Sequence, residues 1–336
     1  SERDFVETFG SLISNSDLYQ DLASRLWRIA QPFTFPKALD RLMPFLQEFR
    51  RSTVSVKLLS NNEMPKRILF AGHNFHFAQP LIEHYRHRPG YLVSVDQWTS
   101  HDSHDRAGSR GLLASADVIF CEWCLGNAVW YSKRKRSNQR LIIRLHNQEM
   151  KLKYLPKLKW ENIDSLIAIC PRNYDALQAR FPDYSSRIAL VYNLFETATF
   201  NKPKVKGAEF NLGFMGLVPM KKRPDLAFRI LSALRKRDGR FTLHFLGKLP
   251  EDYPWMRRRF KELRYYRRLM QDIEVSPHRN SVVFDDFTSD VPGWFTKIGF
   301  LLSTSDLEGS HQAVAEGMAA GSIPVIRSWT GAERLY

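Results

Sequence analysis

Short apolar runs that alternate with helix-forming stretches constrain the fold of this chain more than any other feature. Apolar runs of about five residues, separated by helical segments, are typical of parallel strands buried on both faces. They begin at residue 66 and predict a first Rossmann-like α/β domain over 66–200. The runs occur at 67–71, 91–95, 116–121, 141–145, 165–170 and 188–191.

A second series of the same kind follows residues 201–209, which are mostly polar and include Pro203 and Gly207. We interpret 201–209 as a linker and 210–336 as a second Rossmann-like domain. Ligands of such open sheets bind beyond the carboxyl ends of the strands, which predicts a site in a cleft between the two domains. The runs of the second series occur at 210–215, 241–246, 281–284, 298–303 and 323–326.

Residues 1–65 have helical periodicity, because Leu18, Leu22 and Leu26 recur every four positions before Pro32 interrupts the run. We predict an N-terminal helical extension there and assign it no chemistry.

Composition favours an anionic partner and a reducing compartment. Lys and Arg number 50 against 35 Asp and Glu, a formal net charge of +15. The three cysteines, Cys121, Cys124 and Cys170, argue against a disulfide framework and predict a cytoplasmic protein. Cys121 and Cys124 form a C-x-x-C pair, which suits either a redox or zinc half-site or two small buried side chains.

No apolar run reaches the roughly 18–20 residues of a membrane span. The first residues, Ser1–Asp4, do not show the basic region followed by an apolar core that is typical of a signal peptide.

The segment 303–326 carries the strongest chemical signal. An apolar strand ends at hydroxyl residues, a turn with Glu308 and Gly309 follows, and a helix is expected to open near Ser310. The first amides of a helix have no intrahelical partner, so this corner suits an anion or hydroxyl ligand. Glu316 follows Glu308 by two helical turns. The alternative is an ordinary strand–helix–strand unit with two solvated glutamates.

This segment resembles the E-x7-E region of retaining GT-B glycosyltransferases of family 4, S-x-x-E-G-x6-E-x-M-A-x-G-x-P-V. The resemblance implies a GT-B fold that transfers sugar from a nucleotide diphosphate with retention, using neither metal nor cofactor. It implies that Glu308 approaches the donor sugar and that Glu316 accepts the ribose hydroxyls. It also implies that the amides near Gly309, Ser310 and His311 hold the sugar and the diphosphate.

The strand and loop after the predicted linker resemble the family pattern G-R-L-x-x-x-K-x-x-D. Gly216 falls on its glycine, and Lys222 falls on the lysine that neutralises the donor diphosphate. The family arginine is replaced by Leu217, for which Lys221 or Arg223 would compensate. We therefore expect Lys222 to be catalytic and expect Lys222 and Arg223 to bind the donor.

Two loops of the first domain complete the expected site. Gly72 follows the first strand, where the family places a glycine loop over the donor phosphates. His73, Asn74 and His76 in that loop are candidates for contact with the acceptor, with ordinary loop packing as the alternative.

His146 follows the strand 141–145, where the family often has a histidine beside the transferred sugar. We expect it to polarise a hydroxyl at the reaction centre, with a structural histidine as the alternative. Glu149 is a weaker candidate for contact with the acceptor. Because family members continue past the point matched by Tyr336, the resemblance also implies that the second domain is C-terminally incomplete.

Residues 131–160 interleave basic and apolar side chains, which suits either an anionic membrane surface or a solvated basic face. The expected partners are a nucleotide sugar and a glycan or lipid-linked acceptor, with a peripheral location at the inner face of a membrane. Two other functions compete with this one. The chain could be a catalytically weak GT-B partner subunit. A basic nucleic-acid-binding protein is disfavoured, since no RNP, KH or zinc-finger pattern is present.

Overall fold

A computed structural model describes residues 21–22, 25–26, 64–193 and 195–335. The helical extension predicted over 1–65 therefore lies largely outside the described residues, apart from Leu22 and Leu26, which pack against the second hydrophobic core. The chain divides into two compact units, and the boundary between the two sheets lies between Phe195 and Glu196.

The first unit contains, within the described residues, one parallel sheet of six strands in the order β2-β1-β3-β4-β5-β6. Its core consists of apolar side chains of the strands and the facing helices, such as Ile119, Ile143 and Leu177, which are fully buried. The strands are β1 (Lys66–Gly72), β2 (Tyr91–Gln97), β3 (Val118–Glu122), β4 (Arg140–Leu145), β5 (Ser165–Ala168) and β6 (Ile188–Leu190). The helices are α1 (Gln79–Arg86), α2 (Arg106–Ser115), α3 (Gly126–Ser132) and α4 (Pro171–Arg180).

The second unit has a parallel sheet of five strands in the order β11-β10-β7-β8-β9, counted over the described residues. Its core includes Leu212, Leu231 and Phe245. The strands are β7 (Asn211–Met215), β8 (Thr242–Leu246), β9 (Val282–Asp285), β10 (Phe300–Ser303) and β11 (Ile323–Ile326). The helices are α5 (Pro224–Arg235), α6 (Phe260–Glu274), α7 (Val291–Phe295) and α8 (Gln312–Ala319).

Each sheet has one place where the strand order reverses. The chain passes from β1 to β2 on one side and then crosses to β3 on the other side of β1. In the second sheet it passes from β7 through β8 and β9 and then crosses to β10. In open α/β sheets, the loops that follow such central strands are the usual place for a ligand.

The predicted strand positions hold within two residues, and α6 is preceded by a separate short segment. A 3-10 turn occupies Pro254–Arg258, and α6 begins at Phe260 and continues to Glu274. Pro254 starts the short turn, and Arg259 has non-helical dihedral angles that separate the two segments. The apolar face of α6 is buried, while its arginines are exposed.

The segment 201–209, predicted to be a linker, is anchored to the second unit by Lys204. Its Nζ donates hydrogen bonds to the carbonyl oxygens of Phe295 and Ile298 at 2.8 and 2.6 Å and to Ser322 Oγ at 2.7 Å. Three acceptors around one amine are a good match for the three N–H groups of an ammonium.

The cysteines are free and buried. Burial raises the pKa of the Cys121 and Cys124 thiols well above the ordinary value, which favours the packing interpretation of the C-x-x-C pair. Within the described part of the chain, no helix combines the length and apolar character needed to span a membrane.

Candidate functional site

The loops that follow β7 and β10 are fastened together in the second unit. Thr304 Oγ1, just after β10, donates to the carbonyl oxygens of Lys222 and Arg223 at 3.0 and 2.7 Å. The amide N–H of Asp306 donates to the carbonyl oxygen of Lys221 at 2.8 Å. These bonds bring the two segments singled out by sequence, 216–223 and 304–316, into one site.

Lys222 and Glu308 form an ion pair at this junction, with Nζ 3.2 Å from Oε1. Ser305 Oγ donates to the same oxygen at 2.7 Å. Burial opposes ionisation of Glu308, but the charges at His311 and Lys222 and the two hydrogen bonds outweigh it and lower the pKa of the carboxyl to about 2. Glu308 is therefore a fixed anion at neutral pH.

His311 completes this cluster. Its Nε2 lies 3.4 Å from Lys222 Nζ, and its Nδ1 lies 2.7 Å from Ser303 Oγ. Burial, aided by the positive charge of Lys222, lowers the pKa of His311 to about 4, so the ring is neutral at pH 7. An ammonium can only donate, so Nε2 is the acceptor and Nδ1–H donates to Ser303. The tautomer is thereby set by its neighbours.

Glu316 lies on α8 and has a different environment. Gln312, one turn earlier, donates from Nε2 to Glu316 Oε1 at 2.7 Å. Burial raises the pKa of the Glu316 carboxyl to about 7, despite the hydrogen bond from Gln312, which lowers it. In its ionised form this carboxylate, which has one neutral donor in Gln312, is suited to accept further hydrogen bonds from a diol.

The glycines and Ser310 shape the corner. Gly216 has a φ of 76°, a conformation that favours glycine, and a Cβ there would lie 3.6 Å from Lys222 Cε. The stem of Lys222 thus passes close to the backbone of this loop. Gly309 is buried and Ser310 half-buried in the turn between β10 and α8. Helix α8 begins at Gln312, later than the sequence indicated.

The side chain of Arg223 is bound by neighbouring carboxylates, and Leu217 is buried in the core. The Arg223 guanidinium makes two bonds of 2.9 Å to the Asp225 carboxylate and one of 3.2 Å to Asp306. Leu217 is 1% exposed, and its carbonyl oxygen accepts a 2.8 Å bond from Tyr266 Oη. Two cations were considered as substitutes for the family arginine. Arg223 is bound by Asp225 and Asp306, whereas the Lys221 side chain is exposed.

The corresponding corner of the first unit is formed where β1 and β3 end. A Cβ on Gly72 would lie 2.8 Å from the carbonyl oxygen of Glu122, so only glycine allows the two strand ends to approach this closely. The absence of a side chain at Gly72 thus allows the ends of β1 and β3 to lie close together.

Glu122 is a residue that sequence reasoning missed. It is fully buried, and its Oε2 accepts a 2.7 Å bond from Arg144 Nε, while its Oε1 lies 2.9 Å from His146 Nε2. Burial alone would raise the pKa of Glu122, but the positive charge of Arg144 and the bond with His146 lower it below the ordinary value. The sequence feature that could have identified Glu122 is a carboxylate at the end of one apolar strand together with an arginine within the next strand.

His146 lies among aromatic rings. Trp123, which has a φ of 69°, stacks on it with ring centroids 4.0 Å apart, and the Phe77 ring lies at 5.0 Å. Trp123 Nε1 also donates to the carbonyl oxygen of Asn74 at 2.8 Å. The loop after β1 is thereby connected to the loop after β3.

The remaining candidates of the loop after β1 differ in exposure. His73 is half-buried, with its ring centroid 4.8 Å from that of His101, and His76 is exposed. The Asn74 side chain accepts a bond from the His76 amide at 2.8 Å, which closes a turn.

Glu149 is fully buried rather than open to a ligand. Its Oε1 accepts the amide N–H groups of Cys124 and His146 at 3.1 and 3.2 Å. Burial raises the pKa of this carboxyl. Glu149 therefore fixes the loops around His146 in this structure.

No protein-family model matches this sequence, and no curated protein sequence matches it. Solved structures do. HepE from Anabaena in complex with UDP has a TM-score of 0.58 and 17% identity over 81% of this chain and 83% of its own. A UDP-forming α,α-trehalose-phosphate synthase from Burkholderia xenovorans has a TM-score of 0.55 and 10% identity, over 81% and 86%. A glycosyltransferase from Rickettsia africae has a TM-score of 0.55 and 13% identity, over 80% and 81%. The predicted GT-B fold with two Rossmann-like domains is thereby confirmed.

Proposed function

We propose that this protein is a glycosyltransferase that moves a sugar from a nucleotide diphosphate to a glycan, free or lipid-linked. The observation that carries the proposal is the Lys222–Glu308 ion pair, which lies at the strand-order reversal of the second sheet. The residues around it resemble the family-4 patterns at Gly216, Lys222, Glu308 and Glu316, with Leu217 in place of the family arginine. HepE, a protein of the same fold, was crystallised with UDP and with UDP-glucose, which favours a uridine diphosphate donor.

In the proposed reaction the bond from the anomeric carbon to the diphosphate oxygen breaks while the acceptor oxygen bonds to that carbon from the same face. The departing phosphate oxygen takes the proton of the acceptor hydroxyl, so the products are the glycoside and the nucleoside diphosphate. Configuration is retained, and no metal takes part.

Each residue has a distinct role in this proposal. Lys222 offsets the negative charge that develops on the leaving diphosphate, where a fixed cation contributes most. Glu308, ionised at neutral pH, accepts hydrogen bonds from the donor sugar hydroxyls and stabilises positive charge at the anomeric carbon. Glu316 accepts the two ribose hydroxyls. His146 orients a sugar hydroxyl, held in place by Glu122.

Hydrolysis of UDP-glucose in the absence of acceptor tests both the activity and the stereochemistry. Proton NMR would show α-glucose as the first product if configuration is retained and β-glucose if it is inverted. The wild type should release UDP, and the Glu316→Ala variant should release it at least about tenfold more slowly at low donor concentration. Release of UDP at the same rate by both would contradict the proposed ribose contact.

One observation supports a second candidate, a catalytically weak partner subunit. Leu217 occupies the place of the family arginine and is buried in the core, so one cation of the family site is missing. A protein that binds UDP in calorimetry but releases none from UDP-glucose, with or without glycan acceptors, would favour this second candidate.

Contact of residues 131–160 with an anionic membrane, at the inner face of the cell, stays a prediction. Within this segment Lys135 is internal and pairs with Asp164 at 2.6 Å, whereas Lys133, Lys151 and Lys153 are exposed. Sedimentation with vesicles of anionic phospholipid would detect such binding.

A further inference from the structure

A concave pocket of about 380 Å³ opens in the first unit, apart from Glu122 and His146. It lies between the loop after β2, the helix α3 and the segment that follows β4. Five of its lining residues are cations and one is a carboxylate. The cations are Arg106, Lys133, Arg134, Lys153 and Lys157, and the carboxylate is Asp102.

The interior of the pocket is aromatic. Trp98, Trp130 and Tyr154 are all less than a tenth exposed. Trp98 stacks on His104 with ring centroids 3.8 Å apart and planes within 7° of parallel. The Arg134 guanidinium lies over the Trp130 ring at 4.7 Å. The lining therefore combines largely buried aromatic side chains with charged groups.

The positive charge of this pocket is not neutralised by the protein around it. Asp102 is already bound by Lys153 Nζ at 3.1 Å and by Tyr154 Oη at 2.8 Å. Arg106, Lys133 and Lys157 make no ion pair with any residue that the structure describes. Cations that converge on a concave surface create a local positive potential that attracts an anion.

Neighbouring basic residues show that this is not an evenly charged face. Lys135 and Arg140 both pair with Asp164, at 2.6 and 3.5 Å. Arg136 donates to the carbonyl oxygen of Ala114 at 3.2 Å. Internal partners therefore hold these three residues, whereas Arg106, Lys133 and Lys157 have no such partner among the described residues.

We infer that this pocket binds a saccharide that carries phosphate or carboxylate groups. Its volume falls in the range of about 300–1,000 Å³ typical of small-molecule sites, which is room for one or two sugar rings. The aromatic side chains of the lining can contact the apolar carbons of sugar rings, while the lysines and arginines bind the anionic substituent. Neither a flat membrane surface nor a nucleic-acid duplex enters a pocket of this size.

The identification of this saccharide with the acceptor rests on the proposed function, whereas its binding does not. The acceptor class would then be an acidic or phosphorylated glycan. A lipid-linked saccharide phosphate and a free sugar phosphate present the same group to the lysines, so the experiment has to distinguish them.

Ligand-observed NMR titration of the whole chain tests the proposal, with glucose 6-phosphate, glucuronate, glucose and inorganic phosphate as probes. We expect the two anionic sugars to bind more tightly than either glucose or phosphate. The double variant Lys133→Gln/Lys157→Gln should weaken their binding about tenfold or more. The matched control Lys151→Gln/Lys159→Gln removes the same charge from exposed residues outside the pocket and should change binding less than about twofold.

Three results would overturn the proposal. Equal weakening in both double variants would mean that diffuse surface charge binds the probes. Phosphate binding as tightly as glucose 6-phosphate would mean an anion site without sugar recognition. Vesicles of anionic phospholipid that bind through Lys133 and Lys157, when neither sugar binds, would mean a membrane surface.

Calorimetry with UDP on the same protein separates this proposal from the proposed function. Sugar binding without UDP binding would leave the pocket standing and remove its role as acceptor site. UDP binding without binding of either anionic sugar would overturn the pocket alone. If the sugars bind, comparing glucose 6-phosphate with vesicles that carry a lipid-linked sugar phosphate shows which source the pocket prefers. Thermal unfolding of each variant confirms that it is folded.

Discussion

Lys222 Nζ lies 3.2 Å from Glu308 Oε1, although 86 positions separate the two residues in the chain. They follow neighbouring strands, β7 and β10, so the sheet topology rather than the local sequence brings them together. The contact keeps a cation and an anion side by side, at the place where we propose that the sugar diphosphate binds.

Replacing Lys222 should weaken binding of the nucleotide specifically. In Lys222→Met the affinity for UDP should fall at least about tenfold, or about 1.4 kcal/mol, because a fixed cation near the diphosphate is lost. Lys221→Met, which removes an exposed lysine from the adjacent position, should change the affinity by less than about twofold. Titration calorimetry measures both, and an equal loss in the two variants would argue against a specific role for Lys222.

Glu316 should make stability depend on pH. Its pKa is about 7 in the folded chain against an ordinary value of 4.5, so between these values the folded chain retains a proton that the unfolded chain has released. The stability contributed by this group is complete below the lower value and is lost as pH rises through 7. Glu316→Gln should therefore stabilise the protein by about 1–3 kcal/mol at pH 8 and very little at pH 4. Urea unfolding at the two pH values measures the difference, and a gain of equal size at both would contradict the assignment.

Glu122 and Arg144 should be strongly coupled. Removing the carboxylate in Glu122→Gln leaves a buried guanidinium without its counter-ion, which should cost about 3–5 kcal/mol of unfolding free energy. The Arg144→Met variant removes the guanidinium and leaves the buried carboxylate with His146 as its remaining partner, so it should also be destabilised. In the double variant Glu122→Gln/Arg144→Met neither charge remains, and stability should be largely recovered. Urea denaturation of the four proteins completes the cycle, and additive losses would refute the coupling.

Gly72 should not tolerate a methyl group. Gly72→Ala places Cβ 2.8 Å from the carbonyl oxygen of Glu122, and relieving that contact should cost about 1–3 kcal/mol. Gly111→Ala is the matched control, because nothing lies within 4 Å of the added carbon and the site is in a helix, where alanine is favoured by about 0.5–1 kcal/mol. The melting temperature should fall in the first variant and rise or stay unchanged in the second.

The strand positions could be predicted because parallel strands buried on both faces leave a continuous apolar signature. Strand β11, predicted at 323–326, has those bounds in the structure. The proximity of Lys222 to Glu308 followed only from the family resemblance, since no local pattern encodes it.

Contacts that depend on strand register could not be predicted. Glu122 pairs with Arg144 because β3 and β4 align these two positions side by side, and neither strand alone shows this. The contact of the Arg223 guanidinium with Asp306, which lies 83 positions later, was likewise not predicted, and donor binding by Arg223 stays a prediction. The pocket near Trp98 could not be predicted either, because its cations come from three separate segments of the chain that only the fold brings together.

The burial of Leu217 limits how this site can be redesigned. Its side chain is among the apolar groups of the second core and is 1% exposed, and Tyr266 holds its carbonyl oxygen. Reintroducing the arginine of the family at this position would insert a charged group into hydrocarbon and disturb packing before it reached a ligand. Laboratory selection for tighter donor binding would therefore have to add its positive charge elsewhere, at a position of the same loop whose side chain is not buried in the core.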